Sequence, residues 1–191
     1  MTKWIVIAVL GILVIMGFSS YNGLVSKEED VGSAWGNVES DYQRRSDLIP
    51  NLVNTVKGSA NFEQETLTKV IEARASATQV KIDASNLTPE NLAAYQQAQS
   101  GLSSALSRLL VVSENYPELK ASEAFRDLQA QLEGTENRIN VSRQRFNDAV
   151  NDYNKSRRSF PAVLFSSIMG FKEKGYFKAE AGSEKAPEVK F

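Results

Sequence analysis

The chain contains no cysteine and no histidine. Without thiols there is no disulfide, no thiolate nucleophile and no thiolate zinc ligand. Without imidazole there is no histidine general base and no imidazole metal site. A strong charge of either sign is missing as well: 22 Lys plus Arg stand against 23 Asp plus Glu, for a formal net charge of −1. No one-sided basic face stands out, so nucleic acid is not an expected partner. Carboxylate catalysis and oxygen-ligand metals survive these exclusions. However, no paired Asp/Glu spacing falls on an apolar face, and the patch Asn147, Asp148, Asn151, Asp152, Asn154 is unlike an EF-hand loop. That patch reads as a solvated helix face, and the chain reads as a non-enzyme with no cofactor.

What is present begins at the N-terminus. The 23 residues between Lys3 and Lys27 carry no formal charge, and Trp4 to Phe18 are almost purely apolar. Counted to Tyr21 the run is 18 residues, or roughly 27 Å of helix, enough to span a bilayer. Trp4 and Tyr21 stand at its ends, where amphipathic aromatics sit at membrane interfaces. Residues 1–21 therefore read as a single-pass anchor. The alternative is a signal peptide, for which Gly17-Phe18-Ser19 would supply the small-x-small exit and release a secreted chain. Lys3 and the terminal amine flank one side; Lys27, followed at once by Glu28, Glu29 and Asp30, flanks the other. This leans toward a cytoplasmic N-terminus with the rest of the chain outside.

Beyond the anchor the chain has room for one domain of roughly 130 to 150 residues. Steps of 3 and 4 from Leu24 reach Glu28, Val31, Trp35, Val38, Tyr42, Arg45, Ile49, Leu52 and Val56, which marks one long amphipathic helix ending at Lys57-Gly58. Pro50 lies inside it and cannot donate to the Ser46 carbonyl, so a kink is expected there. A second helix is expected from an Asn61 cap, with Leu67, Val70, Ile71, Arg74, Ala77 and Val80 facing inward. Thr88-Pro89-Glu90 starts a third, whose seam is Leu92, Tyr95, Gln99, Leu102, Leu106 and Leu109. The fourth runs from a Ser122 cap through Phe125, Leu132, Ile139, Phe146 and Tyr153 to Phe160, where Pro161 stops it.

Short connections make neighbouring helices antiparallel. The expected fold is all-α: an N-terminal transmembrane helix continuing into an antiparallel up-down four-helix bundle over residues 22–160. Helix 4 then returns to the membrane, bringing the apolar stretch 162–171 to the bilayer. Residues 161–191 are expected to form this membrane-proximal segment, with Phe165 and Phe171 joining Trp4 and Tyr21 at the interface, and a loosely ordered tail from Lys172.

Arg45 occupies a seam position and needs a partner, because an unpaired buried charge is costly. Matching 57 with 122 and 22 with 158 places residues near 135 opposite it, so Glu136 or Glu133 is expected to form an ion pair with Arg45. Arg44, Asp47, Asn51 and Asn54 lie on the polar side of the same helix and form a candidate interaction face for another protein. Lys155, Arg157 and Arg158 suit the C-terminal end of the fourth helix and its dipole.

The string Arg44-Arg45-Ser-Asp-Leu-Ile-Pro-Asn-Leu-Val-Asn-Thr-Val-Lys-Gly58 resembles the LemA family of bacterial membrane proteins. The match extends to Tyr21-Asn22-Gly-Leu-Val25, Ala34-Trp35 and Ala73-Arg74. It resumes at Phe146-Asn147, Tyr153-Asn154, Phe160-Pro161, Gly170-Phe171, Tyr176-Phe177 and Pro187 to Phe191. Phe62 departs from it, standing where many members carry histidine. The resemblance implies a single-pass anchor and an all-α bundle, and it supplies no enzymatic activity. The expected function is a non-catalytic, membrane-anchored scaffold or adaptor at the bacterial inner membrane, with the bundle on the extracytoplasmic side. Its expected partners are the lipid bilayer, an unidentified protein and further copies of itself. The competing function is a secreted bundle that binds a ligand or peptide.

Overall fold

A computed structural model describes residues 2–58 and 62–179, and among these every regular element is helical. Helix α1 spans Thr2–Lys57 without interruption through Gly17, Gly23 and Pro50, roughly 84 Å at 1.5 Å per residue. It is followed by α2 (Gln64–Gln79), a 3-10 turn (Ala84–Asn86), α3 (Pro89–Ser113), the short α4 (Pro117–Ala121), α5 (Glu123–Arg158) and the single-turn α6 (Val163–Ser166).

Two environments divide α1. Its first part is long and apolar enough to cross a membrane, and its large side chains there, from Trp4 through Ile15 and Phe18, stand exposed. From Leu24 onward the helix buries a 3/4-spaced stripe: Leu24, Val31, Trp35, Val38, Tyr42, Ile49, Leu52 and Val56. Pro50 is exposed, and the helix passes through it unbroken. The carbonyl it leaves without an intrahelical donor, that of Ser46, accepts instead from Arg74 Nε of α2 at 2.9 Å.

Helices α1 and α5 run antiparallel: Arg45 meets Glu136, and Asp41 meets Ser142. Helix α3 follows α1 in the same direction, with Trp35 and Tyr42 against Tyr95, and Arg45 against Gln99 and Ser103. Thr88 caps α3, accepting from Asn91 N at 3.3 Å, and all six seam residues from Leu92 to Leu109 are buried.

Several local expectations are corrected. Helix α2 begins at Gln64 behind Glu63; the expected cap, Asn61, lies outside the described residues. Glu63 stands at the cap position without capping a backbone N–H through its side chain, which accepts from Thr66 Oγ1 at 2.9 Å. Ile71 is exposed, because Thr66, Leu67, Val70 and Ala77 fill the inner face of α2. Phe160 lies beyond the end of α5 and points outward at 71% exposure. Phe62 is buried against the Tyr116 ring, 4.8 Å between centroids.

The largest correction concerns the tail, which was expected to be loosely ordered from Lys172. Residues 171–179 form an extended strap packed on α5 and the start of α3, with Phe171, Lys174 and Phe177 buried. The strap holds because side-chain amides of the body replace the partners that a sheet would give its backbone. Gly175 passes so close to α3 that a Cβ would lie 2.7 Å from Pro89 Cα, so glycine is required there. Residues 180–191 lie outside the described part of the chain.

Candidate interaction sites

The apolar core is split in two by a polar layer. One cluster gathers Leu24 to Tyr42 with Leu92, Tyr95, Phe146 and Phe177; the other gathers Ile49 to Val56 with Leu67, Leu102, Leu109 and Phe125. Between them lie Arg45, Gln99 and Thr135, all buried. The Arg45 guanidinium is 2% exposed. Nη1 donates to Ser103 Oγ at 2.7 Å and to Glu136 Oε2 at 3.0 Å, and Nη2 donates to Gln99 Oε1 at 2.8 Å and to its carbonyl at 3.2 Å. The guanidinium also lies 4.9 Å from the centre of the Tyr42 ring. Gln99 Nε2 reaches on to the Ala77 carbonyl at 3.3 Å. A single side chain of α1 thus joins α3 and α5 directly and α2 through Gln99. Because charge-assisted donors tolerate little misplacement in a dry interior, the layer pins the register of the helices.

Next to this layer Tyr95 is held protonated well beyond the ordinary tyrosine range, first by burial and then by the nearby Tyr42 and Glu39. This suits a packing group and not a titrating one. Both terminal nitrogens of Arg45 are paired while its Nε is buried without a hydrogen-bond partner, and among the described residues no nucleophile and base face one another in the layer.

The candidate interaction face is a separate surface. Arg44, Asp47, Asn51 and Asn54 are all exposed on α1. Asp47 accepts from Gln43 Nε2 at 2.7 Å, one turn away on the same helix. The four residues are thus presented to solvent, while the neighbouring Arg45 turns inward.

At the opposite end α6 rests on the apolar part of α1. A Cβ built on Gly17 would meet the Phe165 ring at 3.8 Å, and Tyr21 packs on Phe171 with centroids 5.7 Å apart. Trp4 and Tyr21 are exposed, and Phe165 is half-buried. Phe171, expected to face the interface, is buried at 7% because its ring closes over Tyr21 in the lower core. Exposed Phe160, Val163, Leu164 and Ile168 surround this contact.

The contacts of the strap went unread in the sequence. Asn154 Nδ2 donates to the Lys174 carbonyl at 2.8 Å while its Oδ1 accepts the Lys174 N–H at 3.1 Å. Asn147 repeats this on Phe177 at 2.9 Å in both directions. Gln96 of α3 repeats it on Lys178 at 2.8 and 3.1 Å. Lys174 Nζ is buried and pairs with Glu28 Oε1 at 2.7 Å. Tyr153 donates to the Lys172 carbonyl at 2.9 Å, and burial pushes its own hydroxyl up to about 12, with the Glu28 charge adding and Arg157 opposing. The sequence pattern places Asn147 and Asn154 in a solvated patch, whereas both side chains bind the strap backbone. The available signal was their spacing: each follows a core aromatic, Phe146 and Tyr153, seven residues apart.

Similarity to known proteins agrees with this picture. The LemA family model matches residues 34–191. Magnetosome protein MamQ 2 of Paramagnetospirillum magneticum is 25% identical over 202 residues, covering 94% of this chain and 73% of the relative. Magnetosome protein MamQ of Magnetospirillum gryphiswaldense is 26% identical over 178 residues, covering 82% of this chain and 64% of the relative. Protein LemA of Metamycoplasma hominis is 23% identical over 154 residues, covering 81% and 67%. With a continuous apolar N-terminal helix, an all-helical body and a family match over most of its length, this chain belongs to the LemA family.

Proposed function

We propose that this protein is a non-catalytic, membrane-tethered scaffold: an up-down four-helix bundle of α1, α2, α3 and α5, held at a bacterial membrane by residues 1–21. The observation that carries the reading is the change of environment along one unbroken helix. Apolar side chains stand exposed up to Phe18, and the same helix buries its stripe from Leu24 on. In water an exposed apolar shaft of this size would be a severe liability, whereas in a bilayer it is matched to its solvent. Relatives named as magnetosome proteins support a membrane setting.

In this reading the exposed Phe160, Val163, Leu164 and Ile168 around α6 dip into the interface beside the span, and exposed Lys155 and Arg158 stand at headgroup level. The bundle projects from the extracytoplasmic face and offers Arg44, Asp47, Asn51 and Asn54 to a protein partner. The test is affinity purification from solubilised membranes, comparing the parent with Arg44→Glu/Asp47→Arg/Asn51→Lys. Loss of a specific co-purifying protein, with thermal stability unchanged, is the expected result. An identical set of partners for both would remove this face from the account.

A further inference from the structure

The strap is bound to the body as a ligand is bound to a site. Among the contacts described for residues 172–178, the backbone is read by side chains: Asn154 on Lys174, Asn147 on Phe177, Gln96 on Lys178, and Arg143 Nη2 on the Lys178 carbonyl at 3.0 Å. One backbone bond supplements them, from Gly175 N to the Leu87 carbonyl at 2.9 Å. Three carboxamides each spend both donor and acceptor on one residue of an extended chain, which is how a peptide groove recognises a strand. Specificity comes from anchors at steps of three. Phe171 fills the Tyr21 corner, Lys174 reaches Glu28, and Phe177 stacks within 6.2 Å of Trp35 and 5.4 Å of Phe146 beneath the Arg143 guanidinium. Gly175 is demanded by the Pro89 backbone.

The strap joins the body through Ser167–Gly170, all exposed, with Gly170 at φ +81°. Gly170 can redirect the segment at this point, the packing given up in the linker being that of Met169 against Gly17 of α1.

We propose that this groove is a peptide-binding site for an extended segment of the pattern aromatic-x-x-Lys-Gly-x-aromatic, and that a second copy of this chain supplies that segment in trans. The exchanged strap makes the same contacts it makes in cis, so exchange costs no specific interaction, the usual route to swapped dimers. The inference rests on the membrane-tether reading in one respect. Two copies anchored by the same helix hold their grooves at the same height and meet in a plane, which raises their effective concentration. The short linker requires the two grooves to face each other across a two-fold axis along the membrane normal.

Because the chain has no cysteine, site-directed crosslinking tests this directly. Gln144 and Ala179 are both exposed and flank the same depression at the upper end of the strap. Full-length Gln144→Cys and full-length Ala179→Cys are mixed in lipid vesicles and oxidised. The expected result is a disulfide-linked dimer at least about tenfold above that from Ala179→Cys mixed with Val111→Cys, whose exposed site lies far along α3. Adding Gly175→Val to the strap-bearing chain abolishes it. A mixed sample that stays at the control level overturns the proposal, whatever internal disulfide a doubly substituted chain forms. Flotation of the same vesicles is read in parallel, and the mixture is repeated in concentrated detergent solution. Protein that fails to float defeats the tether reading alone, while crosslinking in detergent still decides the exchange.

Discussion

Arg74 donates to the Ser46 carbonyl that Pro50 leaves without a helical donor, Nε to O at 2.9 Å. Proline has no N–H, so the fourth residue back on α1 would otherwise bury an unpaired acceptor. The helix stays continuous because a neighbouring helix fills the gap.

This relationship predicts a specific coupling. Arg74→Leu in the parent is expected to cost about 1–3 kcal/mol by orphaning the Ser46 carbonyl. Pro50→Ala restores an N–H at position 50. In that background Arg74→Leu is expected to cost less, by about 1 kcal/mol. Urea denaturation of the four proteins, followed by helical circular dichroism, measures the cycle. Strict additivity would mean that Arg74 is not standing in for the missing donor.

The Arg45–Glu136 pair is not interchangeable. Arg45 donates to two oxygens of Gln99 as well as to Glu136 and Ser103, so a carboxylate placed at position 45 would face acceptors. Arg45→Glu is expected to destabilise by about 3–5 kcal/mol. The swap Arg45→Glu with Glu136→Arg is expected to recover less than half of that loss. Glu136→Gln should be milder, at about 1 kcal/mol, since that side chain is 44% exposed and an amide oxygen can still accept. Denaturation midpoints of the variants test the order, and full recovery in the swap would show that the Gln99 contacts are dispensable.

Tyr153 carries a pH dependence. Burial in the fold pushes its hydroxyl from 10.0 up to about 12. Between these values the folded state retains a proton that the unfolded state has lost. Folding is therefore fully supported by this group below pH 10 and loses that support as pH rises toward 12. Thermal scans from pH 9 to 12 should show the melting temperature of the parent falling more steeply than that of Tyr153→Phe, which does not titrate. Equal slopes would contradict the linkage.

The heptad pattern made the long helices legible, because burial on one face leaves a period that survives in the residues themselves. That is why the Leu24–Val56 stripe and the α3 seam could be read from residue spacing. The Thr88-Pro89 start was readable for a different reason, since capping is a local chemical signature. The strap was not readable in that way. Residues 171–179 have no period of their own, and their partners Gln96, Asn147 and Asn154 are polar residues that resemble solvated ones until the backbone they bind is in place. Phe171 and Phe160 exchanged their expected exposures for the same reason: which aromatic on either side of Pro161 turns inward depends on where the strap returns.

The central claim is that α1 remains one helix, fixed in a membrane by residues 1–21 and organising the bundle from Leu24 onward. Intact-mass measurement of the mature protein, recovered after alkaline carbonate extraction of membranes, tests it most directly. The account predicts a chain in the membrane pellet whose N-terminus is Met1 or Thr2. A soluble chain beginning between Ser19 and Asn22 would contradict it.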